Sequence, residues 1–234
     1  MRLHRFYILQ PLGEVVVIND GLVLKQWKNV FRYTPGVSVI IFNGDGYDYT
    51  YEIESITSKE CKLNQLKRSS SYIPDRKITL YLSLIKKDNF ELVTQKITEL
   101  GINTIVPVIS ERSEKKNLNI ERLQKIVIEA GEQCGRGDIT TISPIISLNE
   151  ALNTVSKESF SLCLQMGGKY WKNDDTWGRI NKETSLNIFI GPEGGWSEKE
   201  ENLFDKNKIT KISLGKTVLR AETAAIVACG IVSL

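Results

Sequence analysis

The sequence predicts an α/β protein made of a β-rich N-terminal region and a larger region in which strands and helices alternate. The first 70 or so residues contain short segments rich in β-branched and aromatic residues, separated by turn residues. From Lys77 onward, apolar segments of strand length alternate with segments of helical periodicity, which is typical of a mostly parallel sheet. A length of 234 residues suits one large domain or two small ones.

Four short strands are predicted in the N-terminal region. They cover residues 14–18, 36–44, 47–56 and 59–66. Turn signals separate them: Asn19-Asp20-Gly21, Pro35-Gly36 and Gly44-Asp45-Gly46. Alternation of exposed and buried positions is clearest at Tyr47, Tyr49, Tyr51 and Ile53. A small barrel is the natural way to remove the edges of such a sheet.

A linker is predicted next, over residues 66–77. This segment is polar, contains a serine run and Pro74, and has no periodicity. We place the domain boundary within it, near residues 70–75. The chain therefore divides into an N-terminal domain of residues 1–72 and a C-terminal domain of residues 73–234.

The C-terminal region begins with a buried-type strand at residues 78–85, followed by a helix that ends at Gly101. A strand at 103–109 leads to a helix with Asn119 as its N-cap. A strand near Ile142 leads to a helix that opens with the capping box Ser147 and Glu150. The next strand, residues 160–166, is predicted to end at Gly167-Gly168.

Two strand–loop–helix units complete the chain, at residues 186–200 and 211–228. The first loop is Gly191-Pro192-Glu193-Gly194-Gly195, and the second begins at Leu214-Gly215. Ser197 and Glu200 form a capping box, so a helix is predicted to start after the first loop. Ligands of open α/β sheets bind beyond the carboxyl ends of strands, so two such loops side by side predict a pocket. A tight connection without a ligand is the alternative for the first loop.

Composition excludes several classes of function. The net charge of +3 permits an anionic partner without requiring one. The four cysteines are scattered, as reduced thiols of a cytoplasmic protein are, and the single histidine makes a catalytic triad or a histidine-based metal site implausible. We therefore expect no metal. No apolar run has membrane-spanning length, so we expect no membrane partner.

Five stretches together resemble the RsmE-type 16S rRNA uridine N3-methyltransferases of the SPOUT class. They are residues 4–8 (HRFYI), 90–101 (FELVTQKITELG), 129–136 (EAGEQCGR), 191–195 (GPEGG) and 214–224 (LG-x-x-VLR-x-ETA). The resemblance implies a PUA-like β-barrel that docks RNA and a SPOUT α/β domain with a C-terminal trefoil knot. It also implies S-adenosylmethionine as cofactor, 16S rRNA or the 30S subunit as substrate, a homodimer formed through the SPOUT domain, and a cytoplasmic location.

The cofactor is expected at three strand ends. The expected binding residues are Gln165, Met166, Gly167, Gly191, Pro192, Glu193, Gly194, Gly195, Leu214, Gly215, Val218, Leu219 and Arg220. Backbone groups of Leu214, Gly215 and Leu219 are expected to hold the adenine. For Leu214, Val218 and Leu219, plain core packing is the alternative.

Arg220 and Glu222 are the candidate catalytic residues. The N3 atom of uridine carries a proton at neutral pH, so a cation that stabilises the uridine anion, or a base, would help its attack. Arg220 is the candidate cation, and Glu222 is the candidate base or orienting group. For Glu222, charge complementarity with a helix N-terminus is the alternative.

Candidate RNA contacts are basic or polar residues in both regions. They are Arg2, Arg5, Arg32, Lys86, Lys87, Arg112, Gln133 and Arg136. Arg136 would either contact phosphate or the target base, or pair with a carboxylate. The segment QWKNVFR departs from the family pattern at Gln26 and Phe31, and the glycine usual after the Lys86 region is missing, which weakens the transfer of RNA contacts there.

Two other functions compete with N3 methylation. A SPOUT-class ribose 2′-O-methyltransferase of rRNA or tRNA is disfavoured by VLRAETA, because that subgroup has an SLNVS-type run after the second loop. A non-catalytic RNA-binding protein of ribosome assembly is disfavoured by the intact glycine-containing loops. A Rossmann-type dehydrogenase is excluded because no G-x-G-x-x-G follows the first strand.

Overall fold

The computed structural model describes residues 3–114, 117–156 and 158–233, and these form two units. Unit 1 holds the described residues up to Ile73 together with Gly131–Asp138. Unit 2 holds Pro74–Ala130 and the described residues from Ile139 onward. Arg2, one of the candidate RNA contacts, lies outside the described residues.

Unit 1 is built on a five-stranded sheet with the order β1-β3-β4-β5-β2. The strands are β1 Arg5–Tyr7, β2 Val15–Ile18, β3 Ser38–Phe42, β4 Tyr47–Ile56 and β5 Cys61–Ser70. β1 pairs with β3 in parallel, and the other pairs are antiparallel. No pairing joins β1 to β2 within the described residues, so backbone hydrogen bonds do not close the predicted barrel there.

Unit 1 also contains a helix that the sequence did not predict, α1 at Gly21–Asn29. Asp20, interpreted as a turn residue, is its N-cap, and the Asp20 carboxylate accepts hydrogen bonds from the backbone N–H groups of Leu22 and Val23. Leu24 and Trp27 are buried in the core of the unit. A nine-residue helix with two core residues leaves too short a periodic pattern to be recognised.

The first part of the predicted linker is a strand. β5 continues to Ser70, and Ser70 pairs with Tyr47 at the start of β4. The Arg68 guanidinium lies 3.6 Å from the centre of the Tyr47 ring, which adds a cross-strand contact. The polar composition predicted a loop, but β4 supplies the hydrogen-bond partners that this segment needs.

Unit 2 is built on a parallel sheet with the order β12-β10-β11-β6-β7-β8, and β9 also pairs with β7. The strands are β6 Lys77–Ser83, β7 Thr104–Ile109, β8 Thr141–Ile142, β9 Ile146–Ser147, β10 Phe160–Tyr170, β11 Ser185–Ile190 and β12 Thr210–Ser213. The parallel sheet predicted from the alternating pattern is confirmed.

Six helices accompany this sheet in the described part of the chain. They are α2 Lys87–Glu99, α3 Ile120–Cys134, α4 Leu148–Thr154, α5 Asp174–Ile180, α6 Glu198–Lys206 and α7 Ala221–Ser233. The predicted capping boxes at Ser147 and Ser197 are both present. Gly101 has a positive φ of 86° after α2, as the predicted helix end requires. α5 was missed, and the last turn of α3 belongs to unit 1.

Both faces of the parallel sheet are covered. Alternate residues of β6 point to opposite faces: Leu80 packs in a core with Phe90 of α2 and Ala225 of α7. Tyr81 packs on the other face with Phe189, in a core that also holds residues of α4 and α6. A parallel sheet covered on both faces leaves its strand ends as the places where a ligand can bind. No helix within the described residues is long and apolar enough to cross a membrane.

β10 does not end at Gly167-Gly168 as predicted but loops out and resumes its pairing. Leu164 and Lys169 both align with Ile212 of β12, so the four residues between them form a bulge. Gly167 has a positive φ of 79°. A Cβ atom on Gly168 would lie 2.8 Å from backbone atoms of Ile212, so the bulge requires glycine there.

Candidate functional site

A cavity of about 440 Å³ lies where the loops after β11 and β12 meet the bulge of β10. β10 lies between β11 and β12 in the sheet, so the bulge of β10 lies beside the carboxyl ends of both neighbouring strands. The volume is within the range of small-molecule sites.

Ten of the residues expected at the cofactor line this cavity. They are Gln165, Met166, Gly191, Pro192, Glu193, Gly195, Leu214, Val218, Leu219 and Arg220. Gly167, Gly194 and Gly215 lie in the same loops but are not among the lining residues. Core packing was the alternative for Leu214, Val218 and Leu219. Val218 and Leu219 are exposed and do not pack in the core, whereas Leu214 lines the cavity and also packs against the core of unit 2.

Nine other lining residues, among those that the structure describes, were not predicted from the sequence. They are Leu164, Ile190, Trp196, Glu201, Ile212, Ser213, Thr217, Ala221 and Ala224. Most are the last residues of the three strands or lie in the first turns of α6 and α7, next to the motifs that were recognised. The signal available was position alone, because apolar strand residues are equally typical of a core.

Trp196 shapes two walls of the cavity. A Cβ atom on Gly191 would lie 3.1 Å from the Trp196 ring, so the absence of a side chain at Gly191 lets the indole pack against the loop. The indole Nε1–H donates a hydrogen bond of 3.2 Å to the carbonyl oxygen of Leu164 in β10. Trp196 therefore links the loop after β11 to the neighbouring strand.

Gln165 offers a polar group that the protein itself leaves unused. Its Oε1 atom is buried and has no hydrogen-bond partner in the described structure. A buried acceptor without a donor is costly, so a ligand donor in the cavity would satisfy it. The cavity thus combines apolar walls with a buried hydrogen-bond acceptor.

The two candidate catalytic residues lie differently. Arg220 is exposed and lines the cavity, immediately before α7. Glu222 is in the first turn of α7, is buried and is not among the lining residues. Its Oε2 atom has no hydrogen-bond partner in the described structure. This location agrees with charge complementarity at the helix N-terminus, the alternative considered for Glu222.

Arg5, expected to contact phosphate, is instead buried within unit 1. Its guanidinium pairs with Asp48 at 2.8 Å and donates to the carbonyl oxygens of Gly131 and Arg136 at 2.9 and 2.7 Å. It also lies 3.4 Å from the centre of the Phe42 ring. These contacts occupy the guanidinium, so the expectation of a phosphate contact is not supported for this residue.

Arg136 pairs with a carboxylate, the second of the two roles considered for it. Its side chain is 2% exposed, and Nε and Nη2 each donate to one carboxylate oxygen of Asp138 at 2.8 Å. Gln133, in the last turn of α3, is exposed. The carboxylate that Arg136 contacts is only two residues further along the chain.

The other basic candidates are at the surface. Arg32 is exposed and has a positive φ of 55°. Lys86 and Lys87 are exposed at the start of α2. Arg112 is exposed, but its guanidinium donates to backbone carbonyls of the loop after β11.

The buried cysteines are not nucleophiles. Burial raises the pKa of the Cys61 thiol to about 11 and raises the pKa of Cys163 and Cys229 as well. No cysteine is among the described residues that line the cavity.

Two family profiles match the chain. One, described as an RNA methyltransferase domain, matches residues 73–233, and the other, an RNA methyltransferase PUA domain, matches residues 28–66. The fold, the cavity and these matches define the class: an RNA methyltransferase with a PUA-like N-terminal domain.

Individual relatives narrow the class. The ribosomal RNA small subunit methyltransferase E of Rickettsia conorii is 32% identical, over 97% of this chain and 94% of the relative. The structure of the Neisseria gonorrhoeae protein of that name, bound to S-adenosyl methionine, is 30% identical with a TM-score of 0.86, over 97% of this chain and 95% of the other. A methyltransferase from Legionella pneumophila in complex with the cofactor is 29% identical with a TM-score of 0.88, over 99% and 97%. The chain belongs to the ribosomal RNA small subunit methyltransferase E family.

Proposed function

We propose that this chain transfers a methyl group from S-adenosylmethionine to N3 of a uridine in the 16S rRNA of the small ribosomal subunit. The observation that carries the proposal is the cavity between the bulge of β10 and the carboxyl ends of β11 and β12, in a chain of this family. Small-subunit RNA is inferred as the substrate from the relatives' name. S-adenosylmethionine is inferred as the cofactor because a solved relative binds it.

The residues of the cavity fit S-adenosylmethionine. Leu214, Val218 and Leu219 provide apolar surface for an adenine ring, and the Gln165 Oε1 atom is an unused acceptor for an amino or hydroxyl group. At Gly195 no atom would lie within 4 Å of an added Cβ, so the loop backbone there can be approached closely. When bound, the cofactor supplies an electrophilic methyl group on a positively charged sulfur.

The protein's own contribution is positioning and charge. The N3–H bond of uridine would break with its proton passing to water, so negative charge would develop on the base. The N3–methyl bond would form as the sulfur–methyl bond of the cofactor breaks, leaving S-adenosylhomocysteine. Arg220, exposed at the rim of the cavity, is the residue we assign to stabilise that charge. We assign Glu222 a supporting role at the start of α7, because its carboxylate is buried and does not line the cavity.

RNA is proposed to contact both domains, residues 1–72 and 73–234. Arg32 in unit 1 and Lys86 and Lys87 in unit 2 are exposed cations available to phosphates, and Gln133 is an exposed polar contact. Arg5 and Arg136 are proposed to act indirectly, by fixing the backbone of unit 1.

The test is methyl transfer from radiolabelled S-adenosylmethionine to 30S subunits and to naked 16S rRNA that both lack their own methylation, followed by nucleoside analysis. Label in 3-methyluridine is expected, and comparison of the two substrates identifies the preferred one. Label in a 2′-O-methyl nucleoside would replace the proposal with ribose methylation. Absence of both cofactor binding and label would indicate a non-catalytic RNA-binding protein.

We further propose that the protein is a homodimer formed through α7. After Glu222 this helix contains no charged residue, yet Thr223 and Val227 are exposed along one side of it. An apolar helix is stable in water when its remaining face is covered, and a second copy of the same helix would cover it.

The C-terminal segment is also proposed to form a trefoil knot. α7 follows the edge strand β12 but contacts β6, β11 and α2, so the chain passes β10 to reach them. An experimental chain trace that straightens when both ends are pulled would contradict the knot.

A cytoplasmic location is proposed because small-subunit RNA is made and assembled there. The four cysteines carry free thiols, as is usual in a reducing compartment. Recovery of the protein only from a membrane or secreted fraction would contradict this location.

A further inference from the structure

The turn that follows β7 is tied to the loop that follows β11, although β6 lies between the two strands. The Nη1 group of Arg112 donates hydrogen bonds of 2.9 Å to the carbonyl oxygen of Gly194 and 3.0 Å to that of Trp196. Two carbonyls of one loop thus share a single charged donor, which makes stronger hydrogen bonds than a neutral one.

A second tie runs beside the first. Glu200 is 6% exposed, and its Oε1 atom accepts a 2.8 Å hydrogen bond from the backbone N–H of Glu111. Its Oε2 atom accepts another of 2.8 Å from the backbone N–H of Ser197. The carboxylate that caps α6 therefore also holds the residue before Arg112, and we call Glu111, Arg112 and Glu200 together the brace.

The loop is shaped to receive Arg112. A Cβ atom on Gly194 would lie 3.3 Å from Cβ and 3.5 Å from Cδ of Arg112, so the arginine stem packs along a residue without a side chain. The turn is closed on itself by Ser110 and Ser113, whose hydroxyl oxygens are 2.7 Å apart. Arg112 is consequently presented from a fixed backbone.

The brace reaches the cavity through Trp196. Arg112 fixes the Trp196 carbonyl, and the Trp196 ring packs on Gly191 and donates to the Leu164 carbonyl. Gly191, Trp196 and Leu164 all line the cavity, whereas Arg112, Glu111 and Glu200 do not. A small movement of the Trp196 backbone would therefore displace two walls of the cavity.

We propose that Arg112 is a positioning residue for the cofactor site, acting through the loop of residues 191–196, and that RNA phosphate is not its main partner. The proposal rests on the proposed function, because it requires the cavity to be the cofactor site. It replaces the role in RNA binding that the sequence predicted for this residue.

The test compares Arg112→Ala and Arg112→Lys with Arg122→Ala in the full chain. Arg122 is an arginine of the same domain whose guanidinium pairs with Glu91 on the surface, so its removal matches the change in charge. Calorimetry measures the dissociation constant for S-adenosylhomocysteine, and filter binding measures the affinity for 16S rRNA at several salt concentrations. Steady-state kinetics separates the KM for the cofactor from kcat.

Arg112→Ala is expected to raise the cofactor dissociation constant and KM about tenfold, the effect of losing roughly one charged hydrogen bond. RNA affinity and its salt dependence should stay within about twofold. Arg112→Lys should recover part of the loss, because an ammonium group still donates to carbonyls. Gly194→Ala crowds the Arg112 stem from the loop side, so it should also raise the cofactor dissociation constant. It replaces Arg112→Ala in the test if that variant does not fold.

Two results would overturn the brace. One is unchanged cofactor binding with weaker RNA binding and a shallower salt dependence in Arg112→Ala, which would restore the phosphate contact. The other is an equal rise of the cofactor dissociation constant in Arg122→Ala, which would mean that loss of one positive charge, and not loss of the Arg112 hydrogen bonds, causes the effect. Failure of the wild-type protein to bind cofactor would instead contradict the proposed function, so the two failures are distinguishable.

Discussion

Arg220 and Glu222 are only two residues apart, yet their surroundings differ and favour different roles. Arg220 stands exposed at the cavity before α7 begins, whereas Glu222 is already within the helix and buried. A cation that stabilises charge on the base must reach the reacting atoms, and a carboxylate in the first helical turn interacts with the helix dipole instead.

Replacing Arg220 should therefore affect chemistry more than cofactor binding. We expect Arg220→Ala to lower kcat about 100-fold while the cofactor dissociation constant changes less than about threefold. Glu222→Gln, which keeps the shape and removes the charge, is the matched control and should retain kcat within about threefold. Steady-state methylation measures kcat, and calorimetry measures the dissociation constant of the cofactor. Equal losses of binding and turnover in Arg220→Ala would show that Arg220 has no separate catalytic role.

Arg5 and Arg136 show what sequence cannot give at the scale of one residue. Both are arginines that were themselves candidate RNA contacts, and for Arg136 pairing with a carboxylate was the alternative. In the structure Asp48 and Asp138 neutralise them inside unit 1. Asp48 is 43 positions from Arg5 in sequence, and only the pairing of strands brings the two together.

The bulge in β10 is the element on which the cavity depends most directly. It contributes Gln165 and Met166 to the lining, and it exists because four residues leave the pairing with β12 between Leu164 and Lys169. Gly167 and Gly168 permit it for different reasons. Gly167 has left-handed backbone angles, and Gly168 lies against the backbone of Ile212.

These reasons predict unequal effects of two alanine substitutions. Gly168→Ala should destabilise the protein by about 2–3 kcal/mol, because the new methyl group meets backbone that cannot move without breaking strand pairing. Gly167→Ala should cost about 1 kcal/mol, since its Cβ meets no atom within 4 Å and only the backbone angle is unfavourable. Denaturant unfolding measures both, and cofactor binding should weaken mainly in Gly168→Ala. A larger effect at Gly167 would mean that the bulge is not packed as described.

Elements were predictable where periodicity or capping was strong and not where tertiary partners decide. The capping boxes at Ser147 and Ser197 gave the starts of α4 and α6, because both residues of each box are visible in sequence. α1 was missed because only Leu24 and Trp27 mark its buried face. The end of β5 was missed because its polar residues owe their strand to β4. The glycine-containing loops are visible in the sequence and predicted the cavity. The contribution of Trp196 to the cavity depends on tertiary packing, which the sequence does not show.

At the scale of the whole molecule, α7 lies between the cavity and the surface proposed to bind a second copy of the chain. Its first turn contributes Ala221 and Ala224 to the cavity, and Ala225, Ala228, Cys229 and Val232 are buried in the core of unit 2. Val227 lies on the remaining side, where it is 40% exposed. Covering Val227 would remove apolar surface from water, because the side of α7 after Glu222 carries no charge.

Introducing charge on that side should therefore prevent dimer formation. Val227→Asp would place a carboxylate in an apolar interface, and its desolvation should raise the dimer dissociation constant about 100-fold or more. Leu66→Asp is the matched control, because Leu66 is an exposed apolar residue of unit 1. Light scattering after size exclusion should show one chain per particle for Val227→Asp and two for the wild type and the control. A monomeric wild type would contradict the homodimer itself, and a dimeric Val227→Asp would show that the protein dimerises through another face.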